Sequence, residues 1–431
     1  MLKMMIPLLV ICLLFCSCSG SAANVATASS ESDTFYSEVH DEKNKDQNVI
    51  FINGHDGIGT CLETGYYYPL VLADGSYRIM FLDYQTQTSI PLCSRPECTH
   101  SDETCTSWYP FTGGNLQLAV VDDYLIAISS NGRQLNLDRL GKVALPQVFI
   151  SHLDGSARVQ LQQFSANEDL PTEYAIQGNS LLFLVQNWEE EKSESVLTQI
   201  DIPTGETTKL TSFSSLSCFL IGGDQEHLFI KSFEVKPKSD TSEHEGLYDS
   251  QNQIIYSYDL ENGEKKIVGE YPVKTRVQIF QNKLYIVDLE DSSIIENDLI
   301  NKRDSVTIQL PQNADRQDIY PVDLIDNHLI IDEIFTTSGE TGTNRFAVNL
   351  DTHECTPLLL RTNYVGYDGK DIPLIIYAEI EDSLLVAPYL TQDVMSLPDG
   401  ENGTIELPTL IPNLKIISKD DFFNNKILRD G

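Results

Sequence analysis

The chain has 431 residues, with 64 acidic against 29 basic side chains and a formal net charge of −35. A field of that sign repels phosphodiester backbones and anionic headgroups, which excludes nucleic-acid binding and direct adsorption to an anionic bilayer. Hydrophobic residues make up 41% of the chain, enough to build a large folded core.

In chain order, Lys3 is followed by an apolar run from Met4 to Phe15. That run suits a signal-peptide core and is too short to span a bilayer. Cys16 and Cys18 come next, in the phrase FCSC. The segment resembles a bacterial lipoprotein signal, in which a cysteine just after the apolar core is acylated and becomes the mature N-terminus. Ser17 places a small residue directly before Cys18, so Cys18 is read as the lipid anchor and residues 1–17 as the signal peptide. Acylation at Cys16, behind the bulky Phe15, and ordinary secretory cleavage near Ala22 are the competing readings. The expected location is the outer face of the cell membrane, held by lipid and not by a spanning helix. Residues 18–47 are rich in Ser, Ala, Asp and Glu without apolar periodicity, and read as a flexible tether with a reach of roughly 30 Å. Residues 48–431 form the expected single globular head.

The head is a repeat. A polar pair followed by a short apolar run recurs as DDYLIAI (122–128), GNSLLFLV (178–185), QEHLFI (225–230), QNKLYIV (281–287), DNHLII (326–331) and EDSLLVA (381–387), with an earlier variant ETGYYYPL (63–70). Its first large apolar residues are Tyr66, Leu125, Leu181, Leu228, Leu284, Leu329 and Leu384, and the last six are spaced by 56, 47, 56, 45 and 55 residues. Between these anchors lies a second phrase: a strand, an Asp or Asn, a polar turn and another strand. Examples are ISHLDGSARVQL (150–161), QIDIPTGETTKL (199–210) and SYDLENGEKKIV (257–268). Asp154-Gly155, Thr204-Gly205 and Asn262-Gly263 are hairpin signals. Helical periodicity is scarce and the strands are rich in Val, Ile, Leu, Tyr and Phe. The expectation is an all-β β-propeller of seven four-stranded blades, with six or eight blades or two packed sandwiches as alternatives. The strand NVIFIN (48–53) is expected to join the last blade and close the ring. The insertion SLPDGENGTIELPTLIPN (396–413) is expected to precede the last strand phrase.

After the first unit's hairpin the sequence reads LCSRPECTHSDETCTSW, which spaces Cys93, Cys98, His100 and Cys105 as C-x4-C-x-H-x4-C. Three thiols and an imidazole from one loop suit a tetrahedral structural zinc. A disulfide between two of the thiols, or free thiols, are the other readings, because six cysteines remain in the head and their pairing cannot be read from sequence. The lipoprotein-type start, the repeat and this cysteine phrase together resemble a group of uncharacterised lipid-anchored, propeller-like lipoproteins of Gram-positive, clostridial-type anaerobes. There the cluster stands as a phrase matched here by Pro91, Leu92, Cys93, Pro96, Cys98, His100 and Cys105. The resemblance implies a surface lipoprotein with a propeller head and no defined activity.

No Trp-Asp repeat, sialidase-type box, G-x-S-x-G, H-E-x-x-H or C-x-x-C-H phrase is present, so the sequence assigns no catalytic residue. The expected function is a binding or scaffold module for an extracellular protein, peptide or glycan at the axial mouth, in a monomer. The alternative is an extracellular hydrolase or lyase with its site at that mouth.

Overall fold

The computed structural model describes residues 50–426, apart from 53–58, 101, 111–112, 132–144, 171, 189–192, 216, 238–247, 299–305, 365–371 and 400–402. Cys18 and the residues read as signal peptide and tether lie outside the described residues. The head is a seven-bladed β-propeller. Blade 1 holds β2 (Thr60–Cys61), β3 (Gly65–Val71), β4 (Tyr77–Asp83), β5 (Thr88–Pro91) and β6 (Trp108–Tyr109). Blade 2 holds β7 (Gly113–Val121), β8 (Tyr124–Asn131), β9 (Gln147–His152) and β10 (Val159–Gln163). Blade 3 comprises β11 (Glu168–Asp169), β12 (Tyr174–Gln177), β13 (Ser180–Trp188), β14 (Ser193–Asp201) and β15 (Thr207–Phe213), joined by β1 (Ile50–Ile52). Blade 4 runs β16 (Cys218–Gly223), β17 (His227–Pro237), β18 (Tyr248–Asp259), β19 (Lys265–Pro272), and blade 5 runs β20 (Arg276–Phe280), β21 (Lys283–Asp288), β22 (Ser293–Asp298), β23 (Val306–Gln309). Blade 6 has β24 (Arg316–Ile325), β25 (His328–Thr337), β26 (Glu340–Asn349) and β27 (Cys355–Leu358). Blade 7 has β28 (Arg361–Tyr364), β29 (Ile372–Pro373), β30 (Ile375–Ile380), β31 (Ser383–Asp399) and β32 (Gly403–Ser418), followed by the helix α1 (Lys419–Phe423).

The repeat phrase has a simple physical origin. Each anchor begins the second long strand of its blade, and all seven are buried. The anchor faces the preceding blade and the next residue faces the following one. Leu181 packs against blade 2 while Leu182 packs against blade 4; Leu329 faces blade 5 while Ile330 faces blade 7. A strand covered on both faces must be apolar at successive positions, which is why these strands read as continuous runs and not as alternation. The buried side chains fall into seven clusters, each shared by two neighbouring blades. Seven seams for seven blades define a closed ring, since an open row of seven would have six. Tyr66, Tyr67 and Tyr68 are all core: Tyr66 and Tyr68 face blade 7 and Tyr67 faces blade 2.

The second phrase is a capped hairpin. The Asp or Asn closing the third strand turns its side chain back onto the turn that follows. Asp83 accepts from the Thr86 N–H (2.6 Å), Asp201 from Thr204 (3.0 Å), Asp259 from Glu261 and Asn262 (2.9 and 3.0 Å) and Asn349 from Asp351 and Thr352 (3.0 and 2.9 Å). Gly155, Gly205 and Gly263 supply the positive φ the turn needs, at 78°, 69° and 72°. These N–H donors hold the Asp83 and Asp259 carboxyls below the usual carboxylate range, and the Ser156 hydroxyl and N–H do the same for Asp154. A depressed carboxyl stabilises the fold above its unfolded pKa of about 4 and loses that contribution as pH falls through its folded value. Asn349 makes the same turn without a charge. Asp259→Asn is therefore expected to keep the neutral-pH melting temperature and to show a shallower acid decline than wild type, as read by thermal unfolding against pH.

Closure departs from expectation. β1 does not complete blade 7. It pairs antiparallel with β12 of blade 3, with Ile50 opposite Ile176, Phe51 opposite Ala175 and Ile52 opposite Tyr174. The first strands of neighbouring blades lie beside one another, as β16 with β20 and β20 with β24, so they line the centre of the ring and β1 lies inside it. Among the described residues no strand takes the outer position of blade 7; β32 is followed by α1, whose buried Phe422 packs into the seam between blades 6 and 7. Ser418 caps α1, its hydroxyl accepting from the Asp421 N–H (3.0 Å). The ring shuts at blades 7 and 1 through side chains instead: Tyr66, Tyr68, Leu82 and Leu385, with Tyr377 edge-on to Tyr66 at 6.3 Å. The expected insertion at 396–413 is built from the paired ends of β31 and β32 on either side of residues 400–402. β31 and β32 pair on past a register shift between Val386 and Tyr389 and extend beyond the blade as an arm, with Val394 opposite Pro408 and Leu390 opposite Pro412. The arm reaches blade 1, where the Ser396 N–H donates to the Ala73 carbonyl (2.7 Å) and Leu397 is buried.

Candidate metal centre

The cysteine phrase interrupts the outermost strand of blade 1. β5 and β6 pair with the same strand, β4, and the chain between them leaves and returns at one point. Ile79 closes that neck on both sides. Its carbonyl accepts from the Leu92 N–H (2.9 Å), and its N–H donates to the Ser107 carbonyl (2.8 Å). The excursion is thus a pinched knuckle on the outer rim of the ring.

Within it the structure brings together the four residues singled out from sequence. The ligand atoms of Cys93, Cys98, His100 and Cys105 all lie within 4.8 Å of one another. Nδ1 of His100 is 3.4 Å from Sγ of Cys105. A zinc tetrahedron with ordinary bond lengths has S···N edges of about 3.6 Å and S···S edges of about 3.8 Å. Cys105 is buried and the other three are half-buried. All six cysteines of the described residues are free thiols, and Cys61, on β2 opposite Tyr66, is not part of the group. Cys218 is buried between blades 3 and 4, and Cys355 packs half-buried against the seam of blades 5 and 6, as small apolar residues.

The surroundings polarise the sulfurs. Desolvation pushes the Cys93 thiol up, but the Arg95 N–H, Thr106, the Arg95 guanidinium and Cys105 outweigh it and bring Cys93 down to about 6. Cys98 goes the other way: the His100 N–H favours its thiolate, yet desolvation and the adjoining Cys105 and Cys93 raise it. Thiols this close cannot all ionise without a cation between them. The Ser107 hydroxyl lies 3.0 Å from Cys105 Sγ, and Arg95 donates to Cys98 Sγ at 3.4 Å. His100 sits at φ +57°, a left-handed conformation rare outside Gly but less so for His. Its carbonyl is held by Arg78 Nε at 2.8 Å. Arg158 of blade 2 donates to the carbonyls of Cys105, Thr106 and Trp108 and stacks 4.9 Å from the Tyr109 ring, so the knuckle is seated on two blades. Pattern reading found the four ligand types because they are local. It missed Arg158, 53 residues away in sequence, which carries no motif.

A second polar group lies on the first and second strands of blades 4 to 6. Arg276 of β20 makes a two-bond pair with Asp318 of β24 (3.1 and 2.5 Å). Arg316 meets Glu333 at 2.6 Å, with Ser292 and the Pro311 carbonyl taking its other donors. Glu333 also accepts from Asn313 and Asn344 (2.9 and 3.0 Å), and these bonds with the Arg316 charge lower its carboxyl despite strong desolvation. Lys231 donates to the Val277 carbonyl (3.5 Å) and is lowered by burial, against the pull of Glu173. Arg276 with Asp318 and Arg316 with Glu333 are charges matched within their pairs.

No protein-family model matches the chain, and no curated protein sequence does. Among solved structures, an oligogalacturonate lyase in complex with manganese is 11% identical over 86% of this chain and 95% of its own, with a TM-score of 0.45. An ulvan lyase of polysaccharide lyase family PL25 is 9% identical over 86% and 96%, with a TM-score of 0.47. A puromycin-hydrolyzing peptidase of Mycobacterium tuberculosis is 10% identical, with a TM-score of 0.48; the chain covers 55% of its length. Likenesses of this strength carry no inference about what this chain binds or does. Among the described residues no helix is long and apolar enough to cross a membrane.

Proposed function

We propose that this chain is a surface lipoprotein, anchored through Cys18, whose propeller head is a binding or scaffold module for an extracellular ligand. The observation that carries this reading is the pairing of charges on β20, β24 and β25. A hydrolase or lyase at the axial mouth needs acid and base groups left available to a substrate, whereas Arg276, Asp318, Arg316 and Glu333 are held by one another. A binding surface needs only a prebuilt shape. The test is turnover: the purified head is incubated with acidic and neutral polysaccharides and with unfolded polypeptide. No cleavage is expected. Cleavage that disappears in Asp318→Asn would replace this reading with the hydrolase or lyase one.

The knuckle supports a structural zinc held by Cys93, Cys98, His100 and Cys105. A disulfide would bring two sulfurs together and give the third thiol and the imidazole no reason to converge. Four protein ligands fill a tetrahedral ion, so its role is to cross-link the loop and not to activate water. Protein purified without chelator is expected to hold one equivalent of zinc. Cys105→Ser is expected to lose it and to expose the knuckle to protease while the remaining blades stay folded. A metal-free wild type with a Cys98–Cys105 disulfide would overturn the zinc reading.

A further inference from the structure

We propose that the inner edge of β12 is a strand-addition site for an extended polypeptide, held in this structure by the chain's own Ile50–Ile52. The proposal rests on the reading of the head as a binding module and names its ligand class. The first strands β7, β16, β20 and β24 end their sheets on the inner side, and β12 alone among these described blades carries an added strand there. That strand also touches β16 of blade 4, so the seat is a slot between two first strands. Its occupant comes from 126 positions earlier in the chain, Ile50 opposite Ile176, although no described strand takes the outer position of blade 7. The ladder is short: three residue pairs, against nine between β13 and β14. Only the two-pair ladder of β11 with β13 is shorter in this sheet, so β1 is held by few backbone bonds and is readily exchanged.

Strand addition recognises backbone first. The N–H and C=O groups of the edge supply affinity, and side-chain positions supply selectivity. The register sets Phe51, the bulkiest residue of the occupant, opposite Ala175, the smallest of β12. The ligand class that follows is an extended peptide with one aromatic or other bulky apolar residue between β-branched neighbours. The chain's own strand is a competitor present at the high effective concentration of a tethered segment.

The experiment uses the full mature chain and a fluorescent peptide of sequence NVIFIN, read by anisotropy. A variant carrying Ile50→Gly, Phe51→Ser and Ile52→Gly vacates the slot. It is expected to bind the peptide saturably, and wild type at least about tenfold more weakly. A control peptide with proline at the Ile and Phe positions is expected not to bind. A folded variant that binds no tighter than wild type, or binds the proline peptide equally, overturns the proposal. Should the variant not fold, amide exchange of wild type decides. Ile50–Ile52 exchanging far faster than β13 and β14 supports a displaceable strand, and equal protection overturns it. Loss of this proposal leaves the binding-module reading standing, because turnover decides that one separately.

Discussion

Arg345→Leu is expected to destabilise the head by about 3–5 kcal/mol, in the range for stranding one member of a buried ion pair. Arg345 lies in β26 and grips Asp332 of β25 through two parallel bonds, Nε to Oδ1 at 2.7 Å and Nη2 to Oδ2 at 2.8 Å. Its third donor crosses the seam to the Leu374 carbonyl of blade 7 at 2.6 Å. The two side chains are only 6% and 11% exposed, so water cannot replace the lost partner. The single variant leaves a carboxylate among Ile330, Ala347 and Leu374. The double variant Arg345→Leu, Asp332→Leu removes both charges, and it is expected to recover most of the loss, because well-packed apolar residues often match a buried pair. Urea unfolding of both proteins checks this. A single-variant loss below about 1 kcal/mol would mean that solvent reaches the pair.

Leu385→Ala is expected to cost about 3 kcal/mol and to act at one place. Leu385 is fully buried among Tyr66, Tyr68 and Leu82, in the seam that shuts the ring without a shared strand. Leu182 holds the equivalent position in blade 3 and is also buried, between blades that the chain connects directly. Truncation at Leu182 is expected to lower stability by a similar amount, as a global loss. Truncation at Leu385 is expected to speed amide exchange in β3 and β30 before the rest of the ring responds, since sub-global opening follows the weakest junction. Uniform exchange across all blades in Leu385→Ala would show that the arm and the remaining seams hold the closure by themselves.

The ring was readable because its cause is local. A strand pressed between two blades needs apolar neighbours at successive positions, and an Asp or Asn followed by a polar turn caps itself. Leu125, Leu181 and Asp259 therefore announce their roles. The four metal-ligand candidates were readable for the same reason, as they fall within thirteen positions. What escaped depends on register between distant strands. Nothing around Asp332 and Glu333 says that successive carboxylates point to opposite seams, one towards Leu374 of blade 7 and the other towards Ser292 of blade 5. NVIFIN reads as a strand, but its partner is fixed by the shape of the ring's centre. The segment 396–413 was readable as an insertion, but not as a paired arm, because its Pro, Gly and Asn residues match loop composition while its cross-strand partners hold it extended.

Those same prolines give the arm a character of its own. A proline survives in a ladder only where its nitrogen faces away from the paired strand. Pro408 and Pro412 lie four positions apart, so both turn their missing N–H to the same flank of β32, opposite β31 and unpaired among the described residues. A neighbouring molecule sliding alongside would find acceptors there with gaps where donors should be. At high concentration such heads can meet flank to flank without zipping into fibres.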